Sequence, residues 1–113
     1  MSIKIASLSK SEDFKKILEG KKINNKYLTI FFRKINFNQK KTLEISFITK
    51  RKLGNAVIRN KIKRRLRNIM SDALKNIKIN NEYSYLFIAK KNVFDEKYIY
   101  VKEQVFKDLK KIR

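Results

Sequence analysis

Ile58, Ile62, Leu66, Ile69 and Ala73 recur at steps of four, four, three and four residues, which lays one apolar stripe along an α-helix. The same stretch carries Arg59, Lys61, Lys63, Arg64, Arg65 and Arg67 with no acid among them. No other feature constrains the fold as tightly. One side of this helix has to be buried against partners, and the other has to face water or an anion. Asn55 is placed to cap the helix at Ala56, its side-chain oxygen accepting a first-turn N–H. The pattern runs to Leu74, and Asn80-Asn81 breaks it.

The cations are spaced for an anion. Arg59–Lys63 and Lys63–Arg67 are like-charge pairs at i,i+4, which destabilise an isolated helix. A solvated face, the ordinary alternative, mixes signs to relieve that repulsion. The chain holds 30 Lys+Arg against 10 Asp+Glu, a net charge of +20, so its natural partners are polyanions. It prefers Lys, yet five of its seven arginines, Arg51, Arg59, Arg64, Arg65 and Arg67, fall within seventeen residues. Arginine grips phosphate through two parallel hydrogen bonds and stacks on bases. Asn55 and Asn60 add neutral groups for sugar hydroxyls or base edges. The helix N-terminus adds free N–H groups and partial positive charge.

Around this helix the chain has enough apolar residues for a core. Leu, Ile, Val and Phe make up about a third of the 113 residues, above the roughly 20% that marks disordered chains. The length fits one domain over residues 1–113. Ser9 and Glu12 have capping-box spacing, with Ser11 as a rival N-cap. A helix over 11–19 follows, with Phe14, Ile17 and Leu18 on one side and Gly20 as its stop. Tyr27 to Ile35 is predicted as a strand: Leu28, Ile30 and Phe32 point one way, and Tyr27, Thr29, Phe31 and Arg33 the other. Asn36 to Lys41 is turn-like. Leu43 to Thr49 is a second strand, burying Leu43, Ile45 and Phe47. Tyr83 to Lys90 is apolar on both faces, as a central, doubly covered strand would be. Asp95 is placed to cap a last helix whose stripe is Tyr98, Val101, Val105, Leu109 and Ile112. Helices alternating with strands predict an α/β sandwich.

Absences narrow the chemistry. The chain has no Cys and no His, which removes thiolate nucleophiles, disulfides, the commonest general base and the commonest zinc ligands. Glu12 and Asp13 are adjacent, point about 100° apart on a helix and make a poor catalytic or metal pair. Met1 to Phe14 lacks the apolar run of a signal peptide. The densest apolar stretch, Tyr27 to Phe32, falls far short of the ~20 residues that span a bilayer. A cytoplasmic protein is expected.

Gly54-Asn55-Ala56-Val57-Ile58-Arg59-Asn60-Lys61-Ile62-Lys63-Arg64-Arg65-Leu66-Arg67 resembles the signature of the bacterial ribonuclease P protein family, in its apolar as well as its basic positions. Glu12-Asp13-Phe14 is similar to that family's first helix. Glu82-Tyr83 with Leu86-Phe87-Ile88-Ala89-Lys90 is similar to its last strand. The resemblance implies an α+β fold in the order αβββαβα, as in some ribosomal-protein domains. Its small mixed sheet is packed by helices, with a left-handed βαβ crossover. The crossover would join Leu43–Thr49, Ala56–Leu74 and Tyr83–Lys90. A fourth, short strand is then needed, near Lys22 to Asn25 or by division of a longer one.

The resemblance also implies a role: the protein subunit of a ribozyme that removes the 5′ leader of precursor tRNA. The partners implied are the catalytic RNA, one protein monomer per RNA, and precursor tRNA, with no membrane. The RNA supplies the catalysis and uses Mg²⁺; the protein holds no catalytic residue, cofactor or metal. Asn55, Arg59, Asn60, Lys61, Lys63, Arg64 and Arg67 match the positions that contact the catalytic RNA. Phe14, Phe31, Arg51, Lys52 and Lys90 match a cleft between the first helix and the sheet that holds the single-stranded leader. Three positions depart from the pattern. Lys61 stands where Arg is common, Leu18 where an aromatic is frequent, and Phe31 where Tyr is frequent.

Other readings remain for these residues. Phe14 on a short helix is otherwise a core residue. Tyr83, Tyr85 and Phe87 fit sheet packing, and Lys107, Lys110 and Lys111 a solvated tail. A structural RNA-binding protein of the ribosome would share the charge and the fold. A membrane binder would need its apolar stripe free and an interfacial Trp, and the chain has no Trp. A DNA-binding role lacks helix-turn-helix spacing.

Overall fold

A strand that is apolar on both faces has to be covered on both, which puts it at the middle of a sheet. The computed structural model describes residues 4–6, 11–34, 42–80 and 82–112, with side chains over 15–34, 44–80 and 82–112. The elements are β1 (Lys4–Ala6), α1 (Ser11–Leu18), β2 (Lys21–Asn24), β3 (Leu28–Lys34), β4 (Thr42–Ile48), a 3₁₀ turn (Arg51–Leu53), α2 (Ala56–Asn76), β5 (Tyr83–Ala89), α3 (Asn92–Asp95) and α4 (Tyr98–Lys111). The sheet runs β1-β4-β5-β3-β2, with β5 central. β5 is parallel to β4, with Ile45 opposite Tyr85 and Ile48 opposite Ile88. It is antiparallel to β3, with Leu28 opposite Ala89 and Lys34 opposite Tyr83. β2 pairs antiparallel with β3, and β1 parallel with β4, so the sheet is mixed.

The two sheet faces are unequal. The larger core joins Leu28, Ile30, Phe32, Ile45, Tyr85 and Phe87 to Ile62, Leu66, Ile69 and Met70 of α2 and to Val101, Val105 and Leu109 of α4. On the other face α1 sets Ile17 on Leu86, with Phe31, Ile48 and Ile88 around them. That face is only partly covered. The β4–α2–β5 crossover joins parallel neighbours, as the resemblance implied. The fourth strand is β2, in the Lys22–Asn25 region, and β1 and α3 add to the αβββαβα order.

Four expectations need correction. Tyr27 does not share a face with Phe31. It precedes β3 in a turn where Asn25 Oδ1 accepts from Tyr27 N (2.7 Å) and Leu28 N (2.9 Å), and its ring lies in the larger core. Strand alternation does not extend through such a turn. Leu18 is 48% exposed although Ile17 is buried, so α1 buries a narrower stripe than its sequence suggested. Asp95 closes α3 rather than capping the last helix. That helix begins three residues later, and its N-cap, Lys97, makes no side-chain cap bond. α2 runs to Asn76, two residues beyond Leu74. The Ser9–Glu12 capping box and the turn at Asn36–Lys41 lie outside the described residues and side chains.

Candidate nucleic-acid interface

α2 begins as its sequence requires. Asn55 Oδ1 accepts from Ile58 N at 3.0 Å, so the cap oxygen is committed to the helix. The preceding Gly54 has φ +147°, which favours glycine, and a Cβ there would crowd Ile58 Cδ1 at 3.0 Å. With Ile62, Leu66, Ile69 and Met70 turned inward, 100° per residue puts Asn60, Arg64 and Arg67 outward. Those three are exposed, as are Lys61 and Asn55; Arg59 and Lys63 are half-buried. Arg59, Lys63 and Arg67 run along one flank, and Lys61 lies toward the other. Among the described residues no acid forms an ion pair with any of these cations. Arg59 Nε is buried with no hydrogen-bond partner among them. Val57, 62% exposed, sits among the charges.

Arg65 departs from the expected row of outward cations. Its Nη1 donates to Val93 O (2.8 Å) and Glu96 O (2.7 Å), clamping α2 to the segment around α3. Its spacing already hinted at this. Arg65 stands three residues after Ile62 and four before Ile69, beside the apolar stripe itself.

The second group of residues gathers on the α1 face of the sheet. Phe31 is half-buried beside Ile48 and Ile88. Lys22, opposite Phe31 on β2, places Nζ 6.0 Å from the ring centroid. Lys90 Nζ donates to Asn24 Oδ1 (2.7 Å) and Asn25 O (2.6 Å), so its charge is anchored at the β2–β3 turn. Thr29 Oγ1 donates to the same Asn24 Oδ1 at 2.8 Å. Arg51 and Lys52 are exposed on the 3₁₀ turn just past β4. Phe14 lies on α1, the helix over this face; its side chain is outside the described ones. The structure therefore brings Phe31, Lys90 and α1 to one face of the sheet, with Arg51 and Lys52 on the turn just past the end of β4.

Sequence reasoning missed the network behind Lys90. Asn25 Nδ2 donates to Asp108 Oδ2 at 2.6 Å, and Gln104 Nε2 donates to Asp108 Oδ1 at 3.0 Å. Asp108 is 1% exposed. The legible signal was an acid at a core-stripe position, three after Val105 and four before Ile112. Lys22 was missed because its partnership with Phe31 appears only once β2 is known to pair with β3.

A family model described as Ribonuclease P matches residues 3–113. The chain belongs to the ribonuclease P protein family. It is 31% identical over 109 residues to the ribonuclease P protein component of Alkaliphilus oremlandii, covering 96% of this chain and 91% of that one. It is 34% identical over 111 residues to that of Fusobacterium nucleatum, covering 94% and 92%. The RNase P protein from Thermotoga maritima has the same fold, with a TM-score of 0.80 at 27% identity, over 96% of this chain and 98% of that one. The fold and its family thus agree with the signature around Gly54–Arg67.

Proposed function

We propose that this chain acts in tRNA processing as the protein subunit of a ribonuclease P holoenzyme, with its two basic surfaces doing separate work. The outer face of α2 holds the catalytic RNA through Arg59, Asn60, Lys61, Lys63, Arg64 and Arg67. Asn55 shapes the helix start and offers its amide N–H. The α1 face of the sheet holds the single-stranded 5′ leader of precursor tRNA. There Phe31 and Phe14 offer ring faces, and Arg51, Lys52 and Lys90 follow the phosphates. Stacking accepts any base, at ~1–3 kcal/mol each, which suits a substrate segment of varying sequence. Cleavage belongs to the RNA, and so does the Mg²⁺ it uses.

The observation that carries the reading is the cationic face of α2, without an ion-pair partner among the described residues, in a chain that matches the family from residue 3 to 113. Reconstitution tests it. With the catalytic RNA at low Mg²⁺ the protein should raise cleavage of leader-bearing precursor, and alone it should cleave nothing. Arg67→Ala should weaken binding to the catalytic RNA. Phe31→Ala should instead weaken precursor relative to mature tRNA. No gain in cleavage, or the same loss from both substitutions, would sink the division of labour.

A further inference from the structure

Lys90 and Lys91 leave the end of β5 side by side and reach in different directions, Lys90 to the β2–β3 turn and Lys91 to the turn that ends at Leu53, whose side chain belongs to the larger core. Lys90 ties to Asn24 and Asn25 at the β2–β3 turn. Lys91 Nζ donates to Leu53 O at 3.1 Å, on the turn that carries Arg51 and Lys52. It also lies 5.0 Å from the centroid of the Phe94 ring. The last carbonyls of a helical turn have no partner inside it, and a lysine can supply one.

Among the described residues the turn has few other anchors. The Leu53 side chain is buried. The bonds Leu53 N to Lys50 O (3.0 Å) and Gly54 N to Arg51 O (3.2 Å) hold the turn to itself rather than to the sheet. Gly54 then follows at φ +147° and redirects the chain into α2. The turn is thus a short basic segment between two elements, and among the described residues the Leu53 side chain and the Lys91 bond tie it to the rest of the fold. Lys91 is itself exposed, so its reach is set by the Leu53 carbonyl and the Phe94 ring rather than by its own burial.

We propose that Lys91 is a positioning residue for the cleft. Its bond to Leu53 O fixes where Arg51 and Lys52 stand relative to Phe31 and Lys90. This rests on the leader-binding reading above. Lys91 acts through the turn and need not touch the RNA.

Lys91→Met tests this, because it removes the donor, keeps an apolar stem and changes an exposed position. In the free protein, amide exchange at Leu53 and Gly54 should quicken by about tenfold, as the turn opens more readily. In the reconstituted holoenzyme the preference for precursor over mature tRNA should fall by about fivefold, the order of one ordinary hydrogen bond, since Lys91 acts only through the turn. Affinity for the catalytic RNA should hold. Lys91→Arg, which keeps a donor, should restore both readouts. In an Arg51→Ala/Lys52→Ala background, Lys91→Met should cost no further preference. Unchanged exchange at Leu53 and Gly54 overturns the proposal. So does an equal loss in both backgrounds, which would make Lys91 one more cation beside the leader. If exchange quickens but Arg51→Ala/Lys52→Ala leaves the preference intact, the tether stands and the leader reading falls instead.

Discussion

Replacing Arg65 by alanine removes both of its hydrogen bonds to the backbone near α3. The cost should be on the order of 1–3 kcal/mol, since two carbonyls lose a charged donor at a partly buried site. Arg64, exposed and unpaired among the described residues, should change stability by less than about 0.5 kcal/mol when replaced yet weaken binding to the catalytic RNA. Urea unfolding beside RNA titration separates the two, and a stable Arg65→Ala protein with poor RNA binding would reverse the assignment. On the same flank as Arg65, Asp72 accepts from Tyr98 Oη at 3.1 Å and pairs with Lys102 at 3.3 Å. The Tyr98 bond and then the Lys102 ammonium hold the Asp72 carboxyl below its ordinary 3.8. Burial, helped by Asp72, pushes Tyr98 up to about 12. A lowered carboxyl stabilises the fold fully above its unfolded pKa and loses that contribution as pH falls from there through the lower folded-state pKa. Melting temperature should therefore drop on acidification below about pH 4 more steeply in the parent than in Asp72→Asn. Parallel curves would show the α2–α4 link to be inert.

At the scale of the element, the start of α2 serves two purposes that one substitution pair can divide. Asn55 caps the helix through Oδ1 and faces solvent in the basic patch. Asn55→Ala should cost ~1 kcal/mol as a lost cap and weaken RNA binding. Asn55→Asp keeps the cap and suits the helix dipole, so stability should hold while the new negative charge weakens RNA binding. If both variants bind RNA as the parent does, the helix start lies outside the interface. Much of this element was legible in advance, because a stripe at 3.6-residue spacing and an Asn cap each carry a local signal. Arg65, Tyr27 and Asp95 were misread for different physical reasons. Arg65 is placed by carbonyls near α3, far along the chain. Tyr27 is placed by the Asn25 turn just before β3, and Asp95 by a bond within a short helix that closes before α4 begins. The cleft was less legible still. β2 is four residues long, and without it the facing of Lys22 on Phe31 and the anchoring of Lys90 cannot be inferred.

The net charge of +20 belongs to the whole molecule, and its parts should separate in salt. Lys110 shares a groove with Asn76, Ile77 and Lys78 at the far end of α2. At 1.5 Å per residue that end lies about 25 Å from Arg59 along the helix axis. The Debye length at 0.1 M salt is about 10 Å, so the cations of α4's last turn can attract RNA from a distance without neutralising phosphates held at the other end. Each phosphate contact contributes roughly 0.7–0.9 to the slope of log affinity against log salt. Changing Lys63, Arg64 and Arg67 together to Gln should therefore lower the slope for the catalytic RNA by about two. Changing Lys107, Lys110 and Lys111 together to Gln removes the same charge. It should slow association at low salt and leave the slope within a few tenths of the parent. Filter binding across a salt series, with stopped-flow association, measures both. Equal slope losses from the two triple variants would mean that the RNA wraps the full length of α2 and that the bound surface reaches α4.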